Sequence, residues 1–231
     1  MTQIDADAVL LDIEGTIADI SFVKQVLFPY ARKALPGFIA EHGDDPAVAA
    51  ELAATAEQAG LDAGDREAIV NQLVQWIDQD VKATPLKALQ GMVWKRGFEE
   101  GDFTAHLYPD AHAWIERRHA AGLPIHIYSS GSVQAQQLYF AHSDYGDLRD
   151  RFGGFFDTTT GPKKEPASYR AIAAEIGLEP ARIAFFSDVG AELEAAAAAG
   201  MSAIQIVRPG TAPDERFPRY PDFADIEIRT G

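Results

Sequence analysis

Short apolar runs rich in β-branched and aromatic residues occupy positions 8–13, 124–130, 155–158, 183–188 and 202–207, and their spacing breaks once. The later runs are separated by segments of helical periodicity, whereas residues 14–123 hold no convincing strand. Strands that alternate with helices form a parallel sheet covered on both faces, because each crossover helix lies against the sheet. The long strandless interval must then be an insertion behind the first strand. Helical patterns fill 133–142, 168–176 and 192–199, the last alanine-rich and closed by Gly200. A short run at 225–229 suggests a further edge strand.

Within the interval, Phe22, Val26, Leu27 and Tyr30 share one helical face. Ile69, Leu73, Trp76, Ile77 and Val81 share another, and Leu86, Leu89, Val93 and Trp94 a third. Loops are expected at 42–46, 60–65 and 84–85, and residues 41–68 carry the weakest pattern. The expected organisation is an α/β core of residues 1–19 and 108–231 with a helical subdomain at 20–107.

The chain has 231 residues, 47% of them hydrophobic, enough for one large domain with a smaller insert. Its 35 acidic and 20 basic residues leave a formal charge of −15, which argues against nucleic acid or an anionic membrane as partner. With no cysteine there are no disulfides, zinc-thiolate sites or thiol catalysis. The N-terminus has no basic start followed by an apolar run, and no stretch approaches the roughly 20 apolar residues that span a bilayer. A cytoplasmic monomer is the expectation. None of the six histidines forms a ligand pair, and none is given a role.

The first run ends in Asp12-Ile13-Glu14-Gly15-Thr16. Ligands of open α/β sheets bind beyond the strands' carboxyl ends, so these acids face the crevice, with Gly15 permitting the turn. An ordinary acidic turn is the competing reading. The second run leads through Ser129-Ser130-Gly131-Ser132 into a helix, whose N-terminal N–H groups and dipole favour an anion; simple N-capping by Ser130 or Ser132 competes. The third run precedes Lys163 and Lys164, and the fourth ends at Asp188 with Glu192 one turn on. Acids, hydroxyls and a lysine at successive ends of one parallel sheet have a shared logic. Carboxylates with open positions suit Mg²⁺, the lysine and hydroxyls offset phosphoryl charge, and one acid can attack phosphorus while its neighbour handles the proton.

These motifs resemble the haloacid dehalogenase superfamily, which implies a Rossmann-like parallel sheet core with an inserted helical cap. Asp12, Glu14, Gly15 and Thr16 match its first motif, Ser129 its second, Lys163 its third (with Lys164 a rival) and Asp188 with Glu192 its fourth. One departure narrows the match, since most phosphatase members carry Asp where this chain has Glu14. Together with residues 22–31, 89–94 and 128–136, Tyr108-Pro109-Asp110 and Val207-Arg208-Pro209-Gly210, it is similar to the enolase-phosphatases of methionine salvage.

That resemblance implies a phosphorylated diketone, 2,3-diketo-5-methylthiopentyl 1-phosphate, which is enolised and then dephosphorylated to an acireductone. It implies Asp12 as nucleophile and Glu14 as acid and base. Ser129, the Ser130 N–H and Lys163 would hold the phosphate. Mg²⁺ would sit on Asp12, Asp188 and the Glu14 carbonyl, with Glu192 orienting a metal-bound water. The cap would close over the methylthio tail. Phe28, Trp94 and Phe98 are candidates to meet the tail, against the plainer reading that they are core. A phospho-acceptor receiver domain would place its Asp later in a shorter chain without the insert. A haloacid dehalogenase or sugar phosphatase is the nearest competitor. A dinucleotide-binding dehydrogenase lacks support, because no Gly-x-Gly-x-x-Gly follows the first strand.

Overall fold

The computed structural model describes residues 3–231, Gln3 by its backbone alone. The chain divides into two compact units, one running up to Ile20 and resuming over Ala105–Gly231, the other Ser21–Thr104. The elements in order are β1 (Gln3–Asp5), β2 (Ala8–Leu11), α1 (Ile20–Phe22), a π-helical segment (Val23–Leu27), α2 (Phe28–His42), α3 (Pro46–Ala59), α4 (Arg66–Asp78) and α5 (Thr84–Glu100). They continue with α6 (Pro109–Ala120), β3 (Ile125–Tyr128), α7 (Val133–Ala141), β4 (Gly154–Phe156), α8 (Pro166–Ile176), β5 (Ile183–Ser187), α9 (Gly190–Ala199), β6 (Ser202–Ile206), β7 (Arg219–Tyr220) and β8 (Glu227–Arg229).

The α/β fold read from the alternation is present. Six strands in the order β4-β3-β2-β5-β6-β7 form one sheet with every neighbouring pair parallel. All residues of β2, β3 and β5 are buried, so these strands are largely apolar rather than alternating, with His126 and Ser187 the polar exceptions. Ala8, Leu10 and Phe185 face Tyr169 and Ile172 of α8 and Leu193 and Ala196 of α9. The alanines of α9 keep that layer thin. On the opposite face Trp114 of α6 meets Phe186 and Phe223, its indole N–H donating to the Ile226 carbonyl at 2.9 Å. Winding reverses around β2, with β3 on one side and β5 on the other. A doubly wound sheet opens its binding crevice at such a point.

The run at 225–229 does form a strand, but not at the edge of the main sheet. β8 pairs with β1 in a separate parallel ladder, Ile4 opposite Ile228. The edge is β7, two residues held by Gln205 and Ile206 of β6.

In the second unit α2, α3, α4 and α5 enclose an apolar core that includes Leu35, Ile39, Leu52, Leu73, Trp76 and Leu89. The expected loop at 84–85 is instead the first turn of α5, where a proline without its N–H costs nothing. Residues 46–59 are a full helix whose buried positions, Val48, Leu52, Thr55 and Ala56, follow helical spacing among alanines that mask it. Val81 lies beyond α4, which ends at Asp78; Asp80 takes a left-handed conformation (φ 54°), and the Val81 N–H returns to the Trp76 carbonyl at 2.9 Å. Phe98 is core, while Phe28 and Trp94 are half-buried and stacked at 6.2 Å.

Candidate active site

β2 delivers Asp12 to the crevice. The Asp12 N–H donates to the Phe186 carbonyl at 3.0 Å, which extends the β2–β5 ladder by one residue before the chain turns. The Ile13 carbonyl then accepts from the N–H groups of Thr16, Ile17 and Ala18, curling 13–18 tightly. Gly15 sits there with φ 77°, and a Cβ on it would collide with the Asp188 carboxylate. Backbone conformation and space both require glycine.

Asp12 is only 3% exposed and Lys163 7%. The Lys163 ammonium donates to Asp12 Oδ1 at 2.5 Å and pairs with Glu192 Oε2 at 2.7 Å. Its backbone is fixed from three sides: Tyr169 Oη donates to the Lys163 carbonyl (2.7 Å), Ser168 Oγ to that of Pro162 (2.8 Å), and Tyr128 Oη to that of Gly161 (2.8 Å). Lys164 points into solvent, so Lys163 is the lysine that reaches the nucleophile candidate.

The remaining contacts bind the cluster together. Ser187 Oγ lies 3.2 Å from Asp12 Oδ2 and 3.1 Å from Glu192 Oε2, and its single proton serves one at a time. Thr16 Oγ1 donates to Asp12 Oδ2 over a long 3.4 Å and accepts from the Asp188 N–H at 3.0 Å. Burial works against a charged Lys163, but the carboxylates of Asp12 and Glu192 overcome it and hold the ammonium above the usual lysine range. Burial, then the charge of Asp12, push Glu192 up. The same two causes push Asp188 up to about 6.

Glu192 sits in an ion pair with Lys163. It lies on the first turn of α9 beside Ser187, and the buried ammonium is the cation within its reach.

Ser129 is buried at the end of β3, its Oγ accepting from the Gly131 N–H at 3.2 Å, while Ser130 is exposed. Glu14 is half-buried in the turn. Burial first and the charge of Glu14 next raise Tyr139. The first turn of α7 is less free to take an anion than its sequence suggested. Ser132 caps the Ala135 N–H (3.2 Å), and the Asp157 carboxylate takes the Val133 N–H (2.9 Å) and the Thr159 N–H and hydroxyl. What stays open is the Ser129–Gly131 loop, braced by Gln136 Nε2, which donates to the carbonyls of Gly131 and Phe156 at 2.8 Å each.

Sequence reasoning gave no role to Thr16 as a bridge, Ser187, Asp157 or Gln136. A hydroxyl just before Asp188 and an acid directly after an apolar run were the available signals.

Two carboxylates close enough to repel one another fit a divalent cation. Asp188 Oδ1 is buried and has no hydrogen-bond partner among the described residues. No group of three or more His, Asp or Glu side chains able to hold a metal occurs among the described residues. A cation there would take Asp12 and Asp188, then complete its shell with backbone carbonyl, water or substrate oxygens, as Mg²⁺ commonly does.

Comparison with known proteins bears on this geometry. A haloacid dehalogenase-like hydrolase family model matches residues 6–200. Enolase-phosphatase E1 of Pseudomonas aeruginosa (strain UCBPP-PA14) is 51% identical over 221 residues, covering 96% of this chain and 98% of that protein. The enolase-phosphatase E1 of Xylella fastidiosa (strain M23) is 53% identical over 209 residues, 90% of each chain. Among solved structures, the UTR4 protein of Saccharomyces cerevisiae superposes with a TM-score of 0.82 at 36% identity, covering 94% of this chain and 98% of that one. No helix among the described residues is long and apolar enough to cross a membrane.

Proposed function

The chain belongs to the haloacid dehalogenase-like hydrolases, within the enolase-phosphatase E1 family, and from that premise we propose its reaction. It converts 2,3-diketo-5-methylthiopentyl 1-phosphate to the acireductone 1,2-dihydroxy-3-keto-5-methylthiopentene and phosphate, in methionine salvage. One observation carries the phosphatase half: a buried carboxylate, Asp12, ends the central strand with a charged Lys163 at 2.5 Å. A carboxylate placed at the switch point and beside a fixed cation is set up to receive a phosphoryl group.

In this reading Asp12 attacks phosphorus in line and the bond from phosphorus to the substrate oxygen breaks. Glu14 gives a proton to that leaving oxygen. The same Glu14 then takes a proton from the water that attacks the aspartyl-phosphate, so phosphate departs and Asp12 is restored. Lys163 moves its hydrogen bond from Asp12 to a phosphoryl oxygen as charge shifts there. Ser129 Oγ and the Ser130 N–H hold the other oxygens. Asp12, Asp188 and the Glu14 carbonyl would hold Mg²⁺, which when bound would supply positive charge against the phosphoryl group. Glu14 is also a candidate base for the enolisation, with a residue of the helical unit as its rival. Residues 20–107 act as the cap that selects the methylthio tail, and the enzyme works in the cytoplasm as a monomer.

The test is an assay that follows enol absorbance and phosphate release together, with and without Mg²⁺. Both signals, each dependent on Mg²⁺, are expected. An enol signal without phosphate overturns the phosphatase half, and phosphate without an enol overturns the other.

A further inference from the structure

Two sequence motifs have so far no role: Tyr108-Pro109-Asp110 and Val207-Arg208-Pro209-Gly210. The fold brings them together. Arg208 is 6% exposed, and its guanidinium makes a two-pronged contact with Asp110, Nη1 to Oδ1 at 3.0 Å and Nη2 to Oδ2 at 2.8 Å. It lies 4.0 Å over the Tyr108 ring. Asp110 is itself held, its Oδ2 also accepting from the Phe223 N–H at 2.9 Å.

The Nε–H donor is the informative one. Arg208 Nε donates to the Thr16 carbonyl at 3.0 Å. The Tyr108 N–H donates to the next carbonyl, Ile17, at 2.9 Å. Both motifs therefore grip the backbone of the loop that follows Asp12. Thr16 is also the residue whose hydroxyl lies between Asp12 Oδ2 and the Asp188 N–H. A guanidinium orients a carbonyl with a rigid fork, which an ammonium on a flexible stem does not reproduce.

We propose that Arg208, locked by Asp110, is a positioning residue for phosphoryl transfer. It fixes Thr16, and Thr16 sets the rotamer of Asp12 and its distance from Asp188. The inference rests on Asp12 being the nucleophile. Arg208 touches neither acid, so its effect reaches them only through Thr16.

The experiment is a double-mutant cycle on the full-length enzyme in Mg²⁺, with R208K, T16V, the R208K/T16V pair, D110N and D12N measured side by side. Each protein is read for kcat, KM and melting temperature. R208K and D110N should each lower kcat about ten- to a hundredfold, the scale of a small misplacement of a reacting group, with KM within about threefold of wild type. R208K/T16V should be no slower than the slower single variant within about threefold, because both substitutions break one chain of contacts. D110N retains the Arg208 side chain but weakens its clamp, and is read by the same kcat criterion should R208K not fold. A folded R208K or D110N with kcat within twofold of wild type overturns the inference. So do losses that multiply in the double variant, since those belong to independent structural roles. D12N separates the two readings. Phosphate release by D12N at the wild-type rate removes the nucleophile and the inference with it, whereas an inactive D12N beside a fully active R208K removes the inference alone.

Discussion

The two units of this molecule bury different things. In the helical unit the core is a continuous apolar cluster, and its ion pairs, Arg32–Asp78 and Arg96–Glu41 among them, lie on the surface. In the α/β unit three acids and a lysine sit together at the strand ends, where Asp12, Lys163 and Glu192 are buried. Apolar burial is cheap and forgiving of chemistry, whereas a buried charge cluster must be matched group by group. The helical unit is thus built for stability, and the α/β unit gives up stability at one point to hold reactive groups.

That contrast is open to direct attack. The largest effect is expected from Lys163→Met, which leaves three carboxylates without their cation. Phosphate release should fall by roughly a thousandfold, and the metal-free protein should lose about 3–5 kcal/mol in urea unfolding. Leu73→Ala in the helical core should cost about 2–5 kcal/mol. The turnover rate per folded molecule should meanwhile change by less than about threefold. A collapse of turnover there would break the division of labour between the units.

Asp188→Asn should set activity against stability, abolishing turnover while stabilising the metal-free protein. Burial and Asp12 raise the folded-state value of Asp188 to about 6, from a usual value of 3.8, so its charged form is penalised in the folded state. Below pH 3.8 both folded and unfolded chains carry the proton and there is no penalty. The penalty grows as pH rises and is complete above about 6. In chelator, the variant should match wild type near pH 4 and exceed it at pH 8 by on the order of 1–2 kcal/mol, the partial exposure of Asp188 reducing the full effect. An equal gain at both pH values would contradict the repulsion. The smallest effect belongs to Arg32→Ala. Its pair with Asp78 is about half exposed on both sides, so thermal melts should shift only slightly and converge with wild type in high salt.

The sequence displayed the α/β unit far better than the small elements around it. Strands 8–11, 125–128 and 183–187 are buried on both faces and read as largely apolar runs, so Asp12, Ser129 and Asp188 could be placed at their ends. β1, β7 and β8 are two or three residues long, too short for any period to show. α3 was hidden by alanines, which carry helical preference without marking a face. Within the site, residues defined by where the chain ends a strand were legible. Those defined by what approaches from elsewhere were not: Asp157 on the cap of α7, Glu192 on Lys163, and Arg208 on the loop behind Asp12. Arg208 and Thr16 are separated by 192 positions, and no local pattern connects them.

The central claim is that Asp12 carries the phosphoryl group. Rapid mixing with substrate labelled at phosphorus, acid quenching within the first turnover and peptide mapping would test it most directly. The account predicts label on the peptide containing Asp12, rising before free phosphate and absent from Asp12→Asn. Phosphate appearing at full rate with no labelled protein, or label on another residue, would contradict it.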